Sequence, residues 1–179
     1  MAVLDDFIKK EEAPLSVIET YKDSVPAQVV ELWRTCGFGS LNNGYLRVIN
    51  PDDYQEVLRD TYTRYEKAIP LFTTAMGDVI VWEEGYLLVL IYRKQEVNVA
   101  AKNFKFFLQD IRDEYYLQDV MDWAPYPDAV NQYGAPAFDE CFGYVPLLGL
   151  GGIEKVENLK KRKMLEHLHL ITEIMGPME

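Results

Sequence analysis

His167 and His169 are the only histidines of this chain, and Cys36 and Cys141 are its only cysteines. Imidazole and thiol chemistry therefore rests on four residues. The histidines stand two apart in a stretch that reads as helix, where such side chains face different directions, and no metal-ligand spacing surrounds them. Surface or capping roles are expected. The cysteines lie far apart in apolar surroundings, lack the paired spacing of a zinc site, and read as two buried, reduced thiols. A histidine brought beside either one in space stays open. No serine sits in a nucleophile elbow. Gly149-Leu150-Gly151-Gly152 is glycine-rich. It lacks the Lys-Ser/Thr of a phosphate loop and the spacing of a dinucleotide fingerprint, so it reads as a tight backbone turn. Acids are too numerous for any pair of carboxylates to stand out. No catalytic residue, metal ligand or cofactor is assigned.

Charge is the stronger signal. The net charge is -11 at pH 7, which repels phosphate backbones and argues against direct binding of DNA or RNA. It favours a basic protein partner instead. Residues 151–179 carry five basic and five acidic groups. The run Lys155, Lys160, Lys161, Arg162 and Lys163, mixed with Glu154 and Glu157, reads as solvated helix ends. The acidic excess lies earlier. Residues 110–140 hold eight acids (Asp110, Asp113, Glu114, Asp119, Asp122, Asp128, Asp139 and Glu140), opposed only by Arg112. Tyr115, Tyr116, Trp123, Tyr126 and Tyr133 are interleaved with them. A solvated helix face is the plain reading. The sharper one is an interface in which acids steer a basic partner and aromatic anchors hold it. Its expected members are Asp113, Glu114, Tyr116, Asp119, Asp122, Trp123, Tyr126 and Asp128.

The elements that must position these groups follow from periodicity. Val3 to Lys10 reads as a short helix. Pro26 opens a clearer one, striped by Val29, Val30, Leu32 and Trp33 and ended by Gly37. Residues 36–44 read as a loop with a turn at Asn43-Gly44, and Tyr45 to Ile49 as a strand. Asn50 caps the next helix, with Pro51 in its first turn and Asp52 and Asp53 at its positive end. Four antiparallel strands follow: Pro70 to Ala75, Asp78 to Trp82, Tyr86 to Tyr92 and Glu96 to Ala100. The third is apolar on both faces, so a central place covered by helices is expected. Phe104, Phe107, Leu108, Ile111 and Tyr115 then share one helix face. A break near Trp123-Ala124-Pro125 precedes a short helix from Pro127 to Gly134. Mixed loop and strand follow, then a last helix from Lys161 to Met175. The order predicts an α+β fold, an antiparallel meander flanked by N- and C-terminal helices. The expected regions are 1–102 and 103–179, packed tightly enough to act as one unit. The N-terminus lacks a basic, apolar leader, and no apolar run approaches the ~20 residues of a membrane helix. A cytoplasmic protein with no membrane partner is expected.

Two segments carry a family likeness. Pro26, Trp33, Gly37-Phe38-Gly39, Gly44 and Val48 to Tyr54 resemble the opening of GAD-like domains. Gly134 and the run Asp139 to Gly152 resemble the signature of the C-terminal region of type VI secretion immunity proteins. The following Val156 to Lys160 and the last helix fit that pattern too. The resemblance implies an antitoxin that binds and neutralises a cognate antibacterial toxin, commonly a DNase, with no enzymatic activity of its own. Read without it, the same acidity suits a regulatory or scaffold module for a basic housekeeping protein. Within the second motif, Gly143, Pro146, Gly151 and Gly152 are expected to make turns, and Phe142, Tyr144 and Leu148 to be core.

Overall fold

The computed structural model describes residues 4–179. Seven strands run antiparallel in strict chain order: β1 (Ile8–Glu11), β2 (Phe38–Leu41), β3 (Leu46–Val48), β4 (Ala68–Thr74), β5 (Val79–Glu83), β6 (Tyr86–Ile91) and β7 (Glu96–Lys102). A separate hairpin pairs β8 (Glu140–Tyr144) with β9 (Leu159–Lys163). The helices are α1 (Leu15–Tyr21), α2 (Ala27–Cys36), α3 (Gln55–Thr61), α4 (Phe107–Asp110), α5 (Glu114–Met121), α6 (Pro125–Tyr133) and α7 (Met164–Met175). The fold is α+β, as the periodicities predict.

Alternation along the strands sends side chains to two apolar layers. Ile80, Leu87, Val89 and Ile91 join one layer with Trp33, Phe107, Leu117 and Tyr126. Val79, Val81, Leu90 and Tyr92 join the other with Val57, Leu58, Leu168 and Ile171. Strand β6 is therefore covered on both faces, one strand in from the β7 edge. Both layers take residues from either side of position 102. Phe72, Phe104 and Phe107 form a triad with ring centroids 5.3–6.0 Å apart, fastening the start of the C-terminal half to β4.

Local capping behaves as expected where side chains can supply it. Asn50 accepts from the Asp52 amide at 3.0 Å and Pro51 opens the turn that leads into α3. Gly37, at φ 75°, ends α2.

The structure corrects six expectations. Val3 lies outside the described residues, and Ile8 to Lys10 belong to β1 rather than a helix. Edge pairing with β2 overrides the local pattern, and Gly39 makes room, since a methyl there would overlap the Ile8 carbonyl. Phe38 to Leu41 is strand β2, not loop. The helix expected from Phe104 to Tyr115 is two helices, because Asp113 caps a new one. Lys161 to Lys163 are not helical ends but strand β9, which pairs with β8, and the last helix begins at Met164. Gly143 makes no turn. It lies within β8, where a methyl would overlap the His167 ring. Phe142 and Tyr144 are core, while Leu147, rather than Leu148, is the fully buried leucine of its pair.

Gly143→Ala should cost about 1–3 kcal/mol through this overlap. In a His167→Ala background the same change should cost much less, because the contact it violates is gone. Denaturant midpoints of the four proteins measure the coupling, and additive effects would reject the contact.

Candidate functional site

The acidic surface is built on α5 and α6. The Asp113 carboxylate accepts from the Tyr115 and Tyr116 amides at 2.8 and 3.2 Å, capping α5 at its positive end. Helical phase then turns Leu117 and Met121 inward and leaves Glu114, Tyr115 and Asp119 outside. Tyr115 is 80% exposed, against the inward place that one continuous helix would have given it. Tyr116 is half-buried and donates its hydroxyl to the Ala100 carbonyl at 2.6 Å, fixing α5 to β7. Burial raises its phenol.

The chain reverses at Asp122, a non-glycine residue in the left-handed region at φ 53°. The Ala124 amide donates to the Gln118 side chain at 2.7 Å, and Pro125 opens α6. Tyr126 is buried. Its hydroxyl reaches the Asn43 carbonyl at 2.5 Å and its ring lies 5.2 Å from Tyr45. Trp123 is half-buried against the first apolar layer.

The eight residues expected at an interface thus divide by environment. Glu114, Asp119 and Asp128 are exposed. Asp113 is exposed but occupied as a cap. Tyr116, Asp122 and Trp123 are half-buried, and Tyr126 is core. Among the described residues no cation lies within 4.0 Å of Asp110, Asp113, Glu114, Asp119 or Asp128. Arg112, the one base of the segment, is turned away to Asp6 at 2.8 Å and to Asn42 at 3.0 Å. These carboxylates are therefore free of ion pairs on this surface, with Lys161 beside Gly134 at the end of α6 the nearby cation.

Beneath it sits a cation that the sequence reading passed over. Arg93 is 6% exposed. It reaches the Asp78 carboxylate at 2.5 Å, the Asp122 carboxylate at 3.2 Å and the Asp122 carbonyl at 3.0 Å. Burial works against the charge of Asp122, but Lys94 and Arg93 outweigh it and hold its carboxyl below the usual range. Lys94 bridges Asp122 at 2.6 Å and Glu154 at 2.9 Å, tying the β8–β9 connection to the same point. A second cation, Arg47, is buried without a carboxylate. It donates to the carbonyls of Gly44, Thr74, Glu140 and Ala137. Neither arginine carried a sequence signal, because both partner sets are assembled by tertiary contacts.

Comparison with known proteins places this geometry. The GAD-like domain family matches residues 1–93. The chain belongs to the GAD-like family. Residues 101–175 match a second family, T6SS immunity protein Tdi1, C-terminal. The chain is also similar in fold to the crystal structure of Atu4351 from Agrobacterium tumefaciens. That likeness has a TM-score of 0.75 at 17% identity and covers 95% of this chain and 86% of the other. No curated protein matches the sequence. The acidic α5–α6 surface thus lies wholly within the immunity-type segment of this GAD-like protein.

The fold brings one histidine near one cysteine, the arrangement that the sequence left open. His167, expected at the surface, is 4% exposed and lies with Cys141 beside Gly77. Burial pushes the Cys141 thiol up to about 12 and the His167 imidazole down to about 4. Both shifts oppose a thiolate–imidazolium pair, which needs a lowered thiol and a retained imidazolium. Arg162 adds to the shift of His167. Cys36 is half-buried, and burial raises its thiol as well. No group of histidine, cysteine and carboxylate side chains among the described residues is arranged to hold a metal. Among them no helix is long and apolar enough to cross a membrane.

His167 gives the GAD-like chain a defined acid sensitivity. Below pH 6.5 the unfolded chain takes up a proton that folded His167 refuses until about pH 4. Stability is therefore lost as pH falls through that window, by about 3 kcal/mol for the full shift. His167→Leu should flatten the dependence of the urea midpoint on pH between 6.5 and 4. An unchanged slope would refute the assignment.

Proposed function

We propose that this GAD-like protein is an immunity protein that binds a cognate type VI secretion toxin, a basic nuclease, and occludes its active site. The carrying observation is the coincidence of the T6SS immunity match with the surface whose carboxylates lack cations. A nuclease needs a positive cleft for phosphate, and a fixed acidic face is complementary to it. The same charge keeps the inhibitor itself off nucleic acid. The protein contributes no chemistry under this reading. Its work is shape and field, with Glu114, Asp119 and Asp128 steering the encounter, Tyr115 offering an aromatic contact and Trp123 supporting the face from its half-buried place. Asp113, Tyr116, Asp122 and Tyr126 hold that face in position. The acidic face belongs to the 103–179 region, and the 1–102 region supplies most of the sheet on which it rests.

Co-expression with the toxin encoded beside it tests the reading: cells survive only if the protein neutralises the toxin. Continued toxicity without a complex would end it. Charge reversal of Glu114, Asp119 and Asp128 to Lys should slow association at low salt by about tenfold or more. The melting temperature should fall only slightly, because none of the three is ion-paired and only the first-turn places of Glu114 and Asp128 in α5 and α6 disfavour a cation. Equal association rates would remove this face from the interface.

A further inference from the structure

The β8–β9 connection is far longer than its topology requires. It spans residues 145–158, whereas hairpin loops typically need about 2–5 residues. It is nevertheless ordered by its own bonds. The Val145 amide donates to the Asn158 carbonyl at 2.8 Å, closing the loop at its base. The amides of Leu150 and Gly152 both donate to the Leu147 carbonyl, at 2.9 and 3.0 Å. The Asn158 side chain donates to the Ile153 carbonyl at 2.8 Å. Leu147 is buried in the second apolar layer. Gly152 admits no side chain, since a methyl would overlap the Pro146 carbonyl.

This rigid frame presents Leu150 and Ile153 to solvent, each 60% exposed. Single exposed leucines are ordinary. Here two branched apolar side chains are held on one long, internally bonded loop, so little conformational freedom remains to be lost on binding. The loop is continuous with the acidic face. Glu154 and Asp122 share Lys94, and residues 156–158 pack against α6. Glu157 adds an exposed carboxylate with no cation within 4.0 Å among the described residues.

We infer that this loop is the apolar anchor of the toxin interface. Leu150 and Ile153 enter an apolar recess on the basic partner, and Glu114, Asp119, Asp128 and Glu157 face the Lys and Arg side chains around it. The inference rests on the immunity reading above and extends it to the residues that hold the complex after the encounter. Charge complementarity selects the occupant. Lys155 is the one cation of the loop, and the unpaired carboxylates of Glu157 and of the adjoining α5–α6 face outnumber it, which disfavours a second copy of this chain, whose corresponding face carries the same sign.

Titration calorimetry against the toxin encoded beside it, made catalytically inactive, tests the anchor. Leu150→Ala/Ile153→Ala should raise Kd by about 30-fold or more. Its melting temperature should match the wild type, because both side chains are exposed. A dissociation rate that rises with little change in association rate would support an anchor distinct from the steering acids. If the wild type binds and the double variant binds within about threefold, the anchor is wrong while the immunity reading stands. If the wild type itself does not bind, the immunity reading fails and the anchor with it. If sedimentation shows a wild-type dimer that the double variant splits while binding toxin normally, a second copy is the occupant and the inference is overturned.

Discussion

The acidic face depends on one buried guanidinium. Arg93 stands just after β6 and meets Asp78, which precedes β5, and Asp122, which ends α5. Removing each of these ions from water costs several kcal/mol, and only close pairing offsets that cost. Two carboxylates share the cation, and carbonyls of Met76, Met121 and Asp122 accept from its two terminal nitrogens, while its buried Nε has no partner. The arrangement ties the sheet to the α5–α6 junction. Through Lys94 and Glu154 it extends to the β8–β9 connection. A face that acts by shape and charge, as proposed for α5 and α6, must not shift when it meets a partner. Anchoring it through a buried ion pair, intolerant of partial opening, gives that constraint a physical basis.

The same network explains why net charge alone was a blunt guide. Asp78 and Asp122 count toward the acidic total, yet both are spent on internal cations. Asp139 and Glu140 are met by Lys163. Asp113 caps a helix. Within residues 110–140, what reaches solvent without compensation is a smaller set on α5 and α6. Localisation, rather than the sum, gives the surface its field.

Periodic elements were legible from the residues, and the reasons are local. The alternation in β4 to β7, the apolar stripe of α2 and the Asn50-Pro51 start before α3 each depend on residues close in sequence. The family likeness was legible because the run Asp139 to Gly152 is long and unusual. What escaped was set by distant partners. Ile8 to Glu11 became a strand because β2 offered an edge. Lys160 to Lys163 are a solvated basic run, as expected, but on a strand paired with β8 rather than at helix ends. Tyr115 changed sides because Asp113 restarts the helical phase. Tyr126 looked like an interface aromatic, and its burial follows from the Asn43 carbonyl and Tyr45 ring, some eighty positions earlier.

The motif around β8 mixes two kinds of residue that sequence alone cannot separate. Gly143 and Gly152 are required by atoms that press on them, the His167 ring and the Pro146 carbonyl. Phe142 and Tyr144 fill the first layer. Leu150 and Ile153 fill nothing. Their exposure is not a failure of packing, because the backbone that carries them is closed at its base by the Val145–Asn158 bond, braced by two bonds to the Leu147 carbonyl, and fixed by contact at Gly152. A loop that has lost its conformational freedom but keeps apolar side chains in water has met the entropic cost of recognition before any partner arrives. Immunity against one toxin among many demands both a fast encounter and a slow release. Unpaired acids on α5 and α6 suit the first, and a rigid apolar loop beside them suits the second.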